Sequence, residues 1–256
     1  MSLNTLLLFG MEFINDTDHK KLLVQLSSFD SEKMQGLPLL ITPNVDQIVK
    51  FHRKENLALF EACKKAAFIL PDGQPIVWTS KLKHQHQSLQ ARLTGSDLFP
   101  ALWNQVKKQR QKVFMILPNE DLGLRFKAEY DLVNYYVPPF FNLEDQSSYK
   151  VIKQHCEDIL KANQFDHVFI GLGFPKQEHL SLHLIEAIES GPKPLFSLLG
   201  ASFEFYFGVK DRAPLWIQKM GLEFLHRMFS EPGRMVKRYL WDDLAFFPLL
   251  WKEIRK

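Results

Sequence analysis

The stretch GLGFPKQE, residues 171–178, carries residue types that can bind an anion where a strand ends. It follows the apolar run HVFI and precedes residues with helical spacing, a pattern that predicts a strand-to-helix turn. Gly171 and Gly173 would let the backbone approach a ligand closely, while Lys176 and Gln177 would offer hydrogen-bond donors. Glycine pairs of this kind also occur for packing alone, so both interpretations stay open for this stretch by itself.

A carboxylate in the stretch ILPDGQP is the strongest candidate for chemistry. Asp72 follows an apolar strand, where partial desolvation would suit it to act as a general base. The alternative is ordinary turn chemistry, with Gly73 adopting a positive φ. The position of Asp72 among other polar strand-end turns favours the catalytic interpretation.

Two further turns combine polar side chains with free backbone amides. RLTGSDL, residues 92–98, is typical of a helix start, with Thr94 or Ser96 available as the cap. The amides there, together with Arg92, could also hold a phosphate. The turn TPN, residues 42–44, has the same two interpretations. The substrate-binding residues predicted in RLTGSDL are Arg92, Thr94, Gly95 and Asp97.

The elements that must position these turns alternate along residues 1–210. Short apolar runs are separated by longer segments with apolar residues three and four apart. Nearly continuous apolar strands indicate a sheet covered on both faces, and the alternation indicates parallel pairing. The sequence therefore predicts an α/β domain with a Rossmann-like, mostly parallel sheet and helices on both faces. The predicted strands are TLLLFG, LPLLITPN, AFILPDG, KVFMILPN, LVNYYVPP, HVFIGLG and PLFSLLG.

In such a sheet, ligands bind outside the carboxyl ends of the strands. TPN follows the second predicted strand, PDG the third, GLGFPKQE the sixth and LGAS the seventh. All four turns are expected at one edge. One cleft would then collect Thr42, Asn44, Asp72, Gly73, Gly171, Gly173, Lys176, Gln177, Glu178 and Gly200.

Residues 211–256 lack strands and predict a C-terminal helical appendage. Residues 212–256 contain nine Lys and Arg against five Asp and Glu, whereas the rest of the chain contains 23 against 24. Basic and aromatic residues on amphipathic helices favour an anionic membrane interface. The aromatic residues of this segment are Trp216, Trp241, Phe246, Phe247 and Trp251. The alternative is that they pack on the α/β body, which is favoured for the helix 215–229, whereas the membrane is favoured from Trp241 onward.

Several function classes are disfavoured. His84 and His86 lie in a polar stretch, and no pair of carboxylates is spaced for a divalent cation, so we expect neither a metal nor another cofactor. The GLGFPK turn follows a late strand, unlike a dinucleotide-binding fingerprint. The slightly acidic body and the lack of a recognisable module argue against nucleic acid. Two cysteines far apart and no signal-peptide or membrane-spanning pattern predict a cytoplasmic protein.

The order and spacing of several motifs resemble the WecG/TagA/CpsF glycosyltransferases, family 26. The similarity spans residues 37–240 and is most specific where PKQE is combined with Arg-Ala-Pro and the motif that follows it. The motifs are TPN, PDG, RLTGSDL, GLGFPKQE, RAPLWIQKMGLEFLHRMFSEPGR and KRYL.

The resemblance implies an inverting, metal-independent transfer of a sugar from a UDP-sugar to a polyprenyl-diphosphate-linked saccharide. It implies that the enzyme works at the inner face of the bacterial cell membrane, in the synthesis of teichoic acid, enterobacterial common antigen, capsule or exopolysaccharide. Asp72 would be the base, assisted by Thr42, Asn44 and Gln177, with Arg92 in the donor site. The C-terminal arginines that would close over the donor diphosphate are Arg212, Arg227, Arg234 and Arg238.

The chain departs from the family pattern at three places. Leu117-Pro118-Asn119 replaces Leu-Gly-Gly, PPFF replaces a Gly-Tyr-Phe motif, and Phe224 replaces a tryptophan. The sugar, the acceptor glycan and the oligomeric state stay open, a homo-oligomer included. The alternative function is a non-catalytic, nucleotide-sugar-binding subunit of a polysaccharide assembly complex.

Overall fold

Six apolar runs form one parallel sheet in the computed structural model of the chain. The structure describes residues 3–16, 19–84, 87–211, 213–214, 217 and 243–255. Its elements in chain order are β1 Thr5–Leu8, β2 Met11–Ile14, α1 His19–Ser27, β3 Leu37–Ile41, α2 Val45–Phe51, α3 Leu57–Cys63, β4 Ala66–Ile69, α4 Gln74–Lys83, α5 Gly95–Lys108, β5 Val113–Ile116, α6 Glu120–Glu129, β6 Val133–Tyr136, α7 Gln146–Ala162, β7 His167–Ile170, α8 Lys176–Ala187, β8 Leu195–Leu198, α9 Ser202–Tyr206 and α10 Phe246–Ile254.

The sheet has the order β4-β3-β8-β7-β5-β6, and every neighbouring pair in it is parallel. All residues of β5, β7 and β8 are buried. Strands covered on both faces need apolar side chains at successive positions, which is why these runs do not alternate with polar residues. The predicted α/β class, with a mostly parallel sheet, is confirmed.

A separate hydrophobic core lies on each face of the sheet. One core receives side chains from α2, α3, α4, α7 and α8, and the other from α1, α5 and α6 together with Phe203 of α9. The second core is rich in aromatic rings, with Phe99 at its centre. The Phe99 ring meets that of Phe203 edge-on, with 4.9 Å between their centroids. Helices therefore cover both faces, as predicted.

Three local features differ from the sequence prediction. β1 pairs antiparallel with β2 in a separate two-stranded sheet, and the four-residue β2 was not predicted. The sequence predicts four segments with helical spacing, at 45–66, 95–110, 147–164 and 175–190. The first forms two helices, because Asn56 donates its side-chain amide to Lys50 O at 2.9 Å and closes α2 there. The helices α1, α4, α6 and α9 lie outside the predicted helical segments.

The end of the chain returns to the body of the protein. Phe246 of α10 is 7% exposed and its ring lies 5.5 Å from that of Phe9, so the prediction that Phe246 faces a membrane is wrong. Lys83 and Glu253 form an ion pair at 2.5 Å that joins α4 to α10. Phe247 and Trp251 are exposed. Among the described helices, none combines the length and apolarity needed to cross a bilayer.

Candidate functional site

The predicted polar turns follow four neighbouring strands of the sheet. They come after β4, β3, β8 and β7, which lie side by side in that order. Parallel strands end at the same edge, so the folded chain places these turns next to one another. Hydrogen bonds and packing contacts join several of the turns directly.

The TPN turn begins α2 through a reciprocal cap. Asn44 Oδ1 accepts from Gln47 N at 3.1 Å, and Gln47 Oε1 accepts from Asn44 N at 3.1 Å. This capping box satisfies two backbone donors at once. Thr42 precedes the cap and is buried. Asn44 therefore has a structural role in addition to the catalytic one predicted for it.

The PDG turn is hydrogen-bonded to its neighbours on both sides. Asp72 N donates to Pro43 O at 3.2 Å, and Leu93 N donates to Pro71 O at 2.9 Å. Asp72 is partly buried, and Gly73 begins α4 with φ of 123°. Only glycine adopts such a φ readily, so the predicted turn chemistry is present. The backbone bonds join the base candidate to the TPN and RLTGSDL turns.

The RLTGSDL stretch starts α5. Thr94 Oγ1 accepts from Asp97 N at 3.1 Å and donates to Asp97 Oδ2 at 2.7 Å. Thr94 is buried and Asp97 is exposed. Both side chains thus support the helix start, and the exposed Asp97 carboxylate adds negative charge beside the amides expected to hold a phosphate.

Gly95 packs the start of α5 against two strand ends. A Cβ at Gly95 would lie 2.9 Å from Ser202 Oγ, 3.3 Å from Leu199 Cδ2 and 3.5 Å from Thr42 Oγ1. No side chain fits there without displacing its neighbours. The residue predicted for substrate binding is therefore what allows α5, β3 and β8 to meet.

The two glycines after β7 serve different purposes. A Cβ at Gly171 would lie 2.8 Å from two ring carbons of Phe203 and 3.2 Å from Gly200 O, so Gly171 is a packing glycine. Packing against Phe203 is therefore one reason for glycine here, and the approach of a ligand to the Gly171 backbone stays a prediction. Gly173 has φ of 75°, and a Cβ added there would meet no described atom within 4 Å. Gly200 likewise has a positive φ, 53°.

Gln177 and Glu178 turn inward from the first turn of α8. Gln177 is 2% exposed and Glu178 is 1% exposed. Gly173 N donates to Gln177 Oε1 at 3.3 Å, and Gln177 Nε2 donates to Glu178 Oε1 at 3.1 Å. The Glu178 carboxyl therefore lies beneath the site surface instead of lining it. Burial raises the pKa of Glu178 to about 7.

Lys176 lies between two aromatic rings. Its Nζ is 4.6 Å from the ring centroid of Phe140 and 4.6 Å from that of Phe141. Cation–π contacts of this kind hold an ammonium group over a ring face. Phe140 is 94% exposed, so the lysine and this ring stand at the protein surface. The PPFF departure thus supplies the partners of Lys176.

The departure at Leu117-Pro118-Asn119 has a local explanation. Asn119 Oδ1 accepts from Leu122 N at 3.1 Å and caps α6. Pro118 removes a backbone donor from the turn, and the asparagine cap supplies an ordered helix start in its place.

Part of the predicted site falls outside the described residues, namely Arg212, Arg227, Arg234 and Arg238. Within the described ranges, no group of three or more His, Cys, Asp or Glu side chains is arranged to hold a metal ion. Sequence reasoning missed Phe203, Ser202 and the Pro43 carbonyl as partners of the turns. Pro43 and Ser202 belong to the TPN and LGAS motifs and Phe203 follows LGAS, but their contacts are between distant parts of the chain and carry no local signal.

Comparison with known proteins adds independent information about this chain. The model of the glycosyl transferase WecG/TagA/CpsF family matches residues 7–256. A relative from Bacillus subtilis (strain 168) is 30% identical over 199 residues, covering 76% of this chain and 73% of the relative. A relative from Staphylococcus aureus (strain MRSA252) is 27% identical and covers 89% of this chain and 85% of its own length. Both are named N-acetylglucosaminyldiphosphoundecaprenol N-acetyl-beta-D-mannosaminyltransferase.

Proposed function

The chain belongs to the glycosyl transferase WecG/TagA/CpsF family, and from this premise we propose that it transfers a sugar from a UDP-sugar to a polyprenyl-diphosphate-linked saccharide. The transfer inverts the anomeric centre and uses no metal ion. The protein is a glycosyltransferase of bacterial surface polysaccharide synthesis. N-acetylmannosamine is the first donor sugar to test, because the relatives are named for it.

The observation that carries the proposal is the contact between turns at the carboxyl edge. Asp72 is bonded through its backbone to the TPN turn, and the adjoining Pro71 to the RLTGSDL turn, so a carboxylate stands between two polar turns. A base in this place would remove the proton of the acceptor hydroxyl. The acceptor oxygen would form a bond to the anomeric carbon while the bond to the diphosphate breaks, and UDP would leave with the bonding electrons.

Charge on the leaving diphosphate must be balanced without a metal. Arg92 and the backbone amides at the start of α5 are candidates for this role, because the bond from Leu93 N to Pro71 O brings this stretch beside the PDG turn. Donors and helix N-termini stabilise phosphate charge that develops in a transition state. The C-terminal arginines predicted above are proposed to add to this charge.

Action on a lipid-linked acceptor would bring the protein to the inner face of the bacterial membrane. In α10, Phe247 and Trp251 are 63% and 61% exposed, and the Arg255 guanidinium lies 3.9 Å from the Trp251 ring centroid. Exposed aromatic and basic side chains on one helix suit a bilayer interface. We propose peripheral binding through this helix.

The membrane proposal is tested with F247S/W251S, which leaves the buried Phe246 and the Lys83–Glu253 pair intact. The variant should sediment less with anionic liposomes and lose activity on a long-chain acceptor while retaining it on a short-chain one. L124S/V151S, which alters two exposed apolar side chains on α6 and α7, is the matched control. Unchanged liposome binding by F247S/W251S would reject α10 as the anchor.

The transfer itself is tested with a panel of UDP-sugars and a synthetic polyprenyl-diphosphate-linked N-acetylglucosamine. We expect one sugar to be transferred and the same UDP-sugar to raise the melting temperature. Stabilisation by a UDP-sugar without transfer to any acceptor would instead favour a nucleotide-sugar-binding subunit.

A further inference from the structure

Glu178 occupies an unusual position for a charged residue near a candidate active site. It is 1% exposed, and one of its carboxyl oxygens, Oε2, has no hydrogen-bond partner among the described residues. A buried polar atom without a partner is costly, so stability alone does not account for this side chain. The other carboxyl oxygen, Oε1, accepts a hydrogen bond from Gln177 Nε2.

Gln177 and Gly173 are joined by two hydrogen bonds that close the glycine loop. Gln177 N donates to Gly173 O at 3.1 Å, and Gly173 N donates to Gln177 Oε1 at 3.3 Å. The second bond requires the side-chain amide to point its oxygen, not its nitrogen, towards Gly173. A glutamine amide can flip, and its neighbours decide which orientation is stable.

We propose that Glu178 is a positioning residue that fixes the orientation of the Gln177 amide and thereby the shape of the 171–177 loop. The Glu178 Oε1 acceptor receives Gln177 Nε2 at 3.1 Å. A flipped amide would set two acceptors against each other at Glu178 and two donors against each other at Gly173. The inference rests on the proposed function, because Gln177 is one of the residues predicted from the sequence to assist Asp72 in the transfer.

The titratable groups around Glu178 come from α2, α3 and its own helix α8. Burial raises the pKa of Glu178 to about 7, although Lys50 on α2 attracts the ionised form. Lys50 is paired with Asp46 on the same helix at 2.9 Å. From α3, the Cys63 thiol faces Glu178, and burial raises the pKa of that thiol well above its usual value.

The other ionisable groups of α8 point elsewhere. His179, the next residue, is exposed, and His183 bonds Glu157 of α7 at 2.6 Å. Glu178 thus has Gln177 as its described hydrogen-bond partner at the loop. Glu178 can therefore act on the loop through its hydrogen bond to Gln177.

The test is a double-mutant cycle with Q177A, E178M and Q177A/E178M. E178M keeps the side-chain length but removes the acceptor, and we expect kcat/KM to fall about tenfold or more, with the melting temperature unchanged or raised. In the Q177A background the same substitution should change kcat/KM by less than about twofold, because its only route of action is gone. If the fold-losses in kcat/KM caused by Q177A and by E178M multiply in the double mutant, the two residues act independently and the proposal is overturned.

E178Q is the conservative variant that separates positioning from packing. Its side-chain oxygen can still accept from Gln177, so it should restore kcat/KM to within about threefold of wild type. A loss in E178Q equal to that in E178M would overturn the assignment of an acceptor. If E178M does not fold, E178L removes the acceptor in the same way.

Amide hydrogen exchange at Gly173 provides a readout that does not depend on catalysis. The exchange should be faster in E178M than in wild type and close to wild type in E178Q, because the Gly173 N–H loses a stable partner only in the former. Equal exchange in wild type and E178M would overturn the proposal. Wild-type protein that transfers no sugar would count against the proposed function alone, since the exchange measurement would still decide the role of Glu178.

Discussion

The two edges of the parallel sheet differ in how their polar groups are used. At the amino edge, an open cleft of about 1290 Å³ is lined by residues 27–32, 109–112, 163–166 and 187–194, among others. Its polar groups bind one another: Asp166 Oδ2 accepts from Lys112 N at 2.7 Å, and Ser31 Oγ accepts from Lys193 N at 2.7 Å. These bonds close long loops over the starts of the strands.

At the carboxyl edge the turns are short and packed through glycines. Gly95 and Gly171 let the turns after β3, β7 and β8 meet the start of α5 and the ring of Phe203. The volume of a cleft reflects the length of its loops, whereas chemistry requires particular side chains at the ends of strands. The cleft at the amino edge therefore does not identify the active site, and substitutions at one edge can serve as controls for the other.

The largest expected effect follows from Asp72 at the carboxyl edge. D72N keeps the size of the side chain but removes the base, so kcat should fall about 10²-fold or more while UDP-sugar binding is retained. The matched variant at the amino edge is D131N, which breaks the exposed pair of Asp131 with Arg110. Its turnover should equal that of wild type. Steady-state transfer assays on both variants check this, and near wild-type turnover by D72N would remove Asp72 as the base.

The next effect concerns packing glycines. G171A would push a methyl group into the buried Phe203 ring and should lower the free energy of unfolding by about 1–3 kcal/mol. At the amino edge, Gly191 has φ of 84° with open space around it. G191A should cost roughly 1 kcal/mol, from backbone strain alone. Urea unfolding of both variants measures the difference, and G171A/F203L should recover part of the loss. A smaller cost for G171A than for G191A would contradict the packing role.

Two buried ionisable groups predict opposite pH dependences for the stability. Burial raises the pKa of Glu178 from 4.5 to about 7. The stability that comes with the protonated carboxyl is therefore fully present below pH 4.5 and is lost as the pH rises to about 7. His167 begins β7 at the amino edge, and burial lowers its pKa from 6.5 to about 4. The stability that comes with the neutral imidazole is fully present above pH 6.5 and is lost as the pH falls to about 4.

Each of these groups changes the free energy of unfolding by at most roughly 3 to 4 kcal/mol, from the usual 1.4 kcal/mol per pKa unit. E178Q should therefore lose less stability than wild type as the pH rises from 4.5 to 7. H167Q should lose less than wild type as the pH falls from 6.5 to 4. Unfolding curves across this range test both. A wild-type slope preserved in E178Q would show that another group titrates there.

The smallest expected effect is that of a chelator. We expect transfer to continue in excess EDTA, because diphosphate charge is proposed to be balanced by Arg92, backbone amides and the C-terminal arginines. Loss of activity that returns with Mg²⁺ or Mn²⁺ would contradict metal independence. Asp97 and His84 would then be the first residues to substitute.

Much of the fold could be predicted from local pattern. The run VFMI is an uninterrupted apolar stretch because both faces of β5 are covered. The roles of single residues were harder to predict. Gly171 and Gly173 look alike in the sequence, yet one contacts Phe203 and the other only adopts a positive φ. Glu178 looks like a surface residue of a first helical turn, whereas α8 turns it towards Cys63 and Lys50.

The sequence by itself determined the α/β alternation, the turns that end the strands and the family, because these depend on periodicity and on short motifs. Only the tertiary structure decided which turns touch, since the pairing of β3 with β8 joins residues more than 150 positions apart. It also decided that Gln177 and Glu178 face inward and that Phe246 packs on Phe9. These outcomes depend on the packing of elements that are distant in the chain, and no local pattern of residues encodes them.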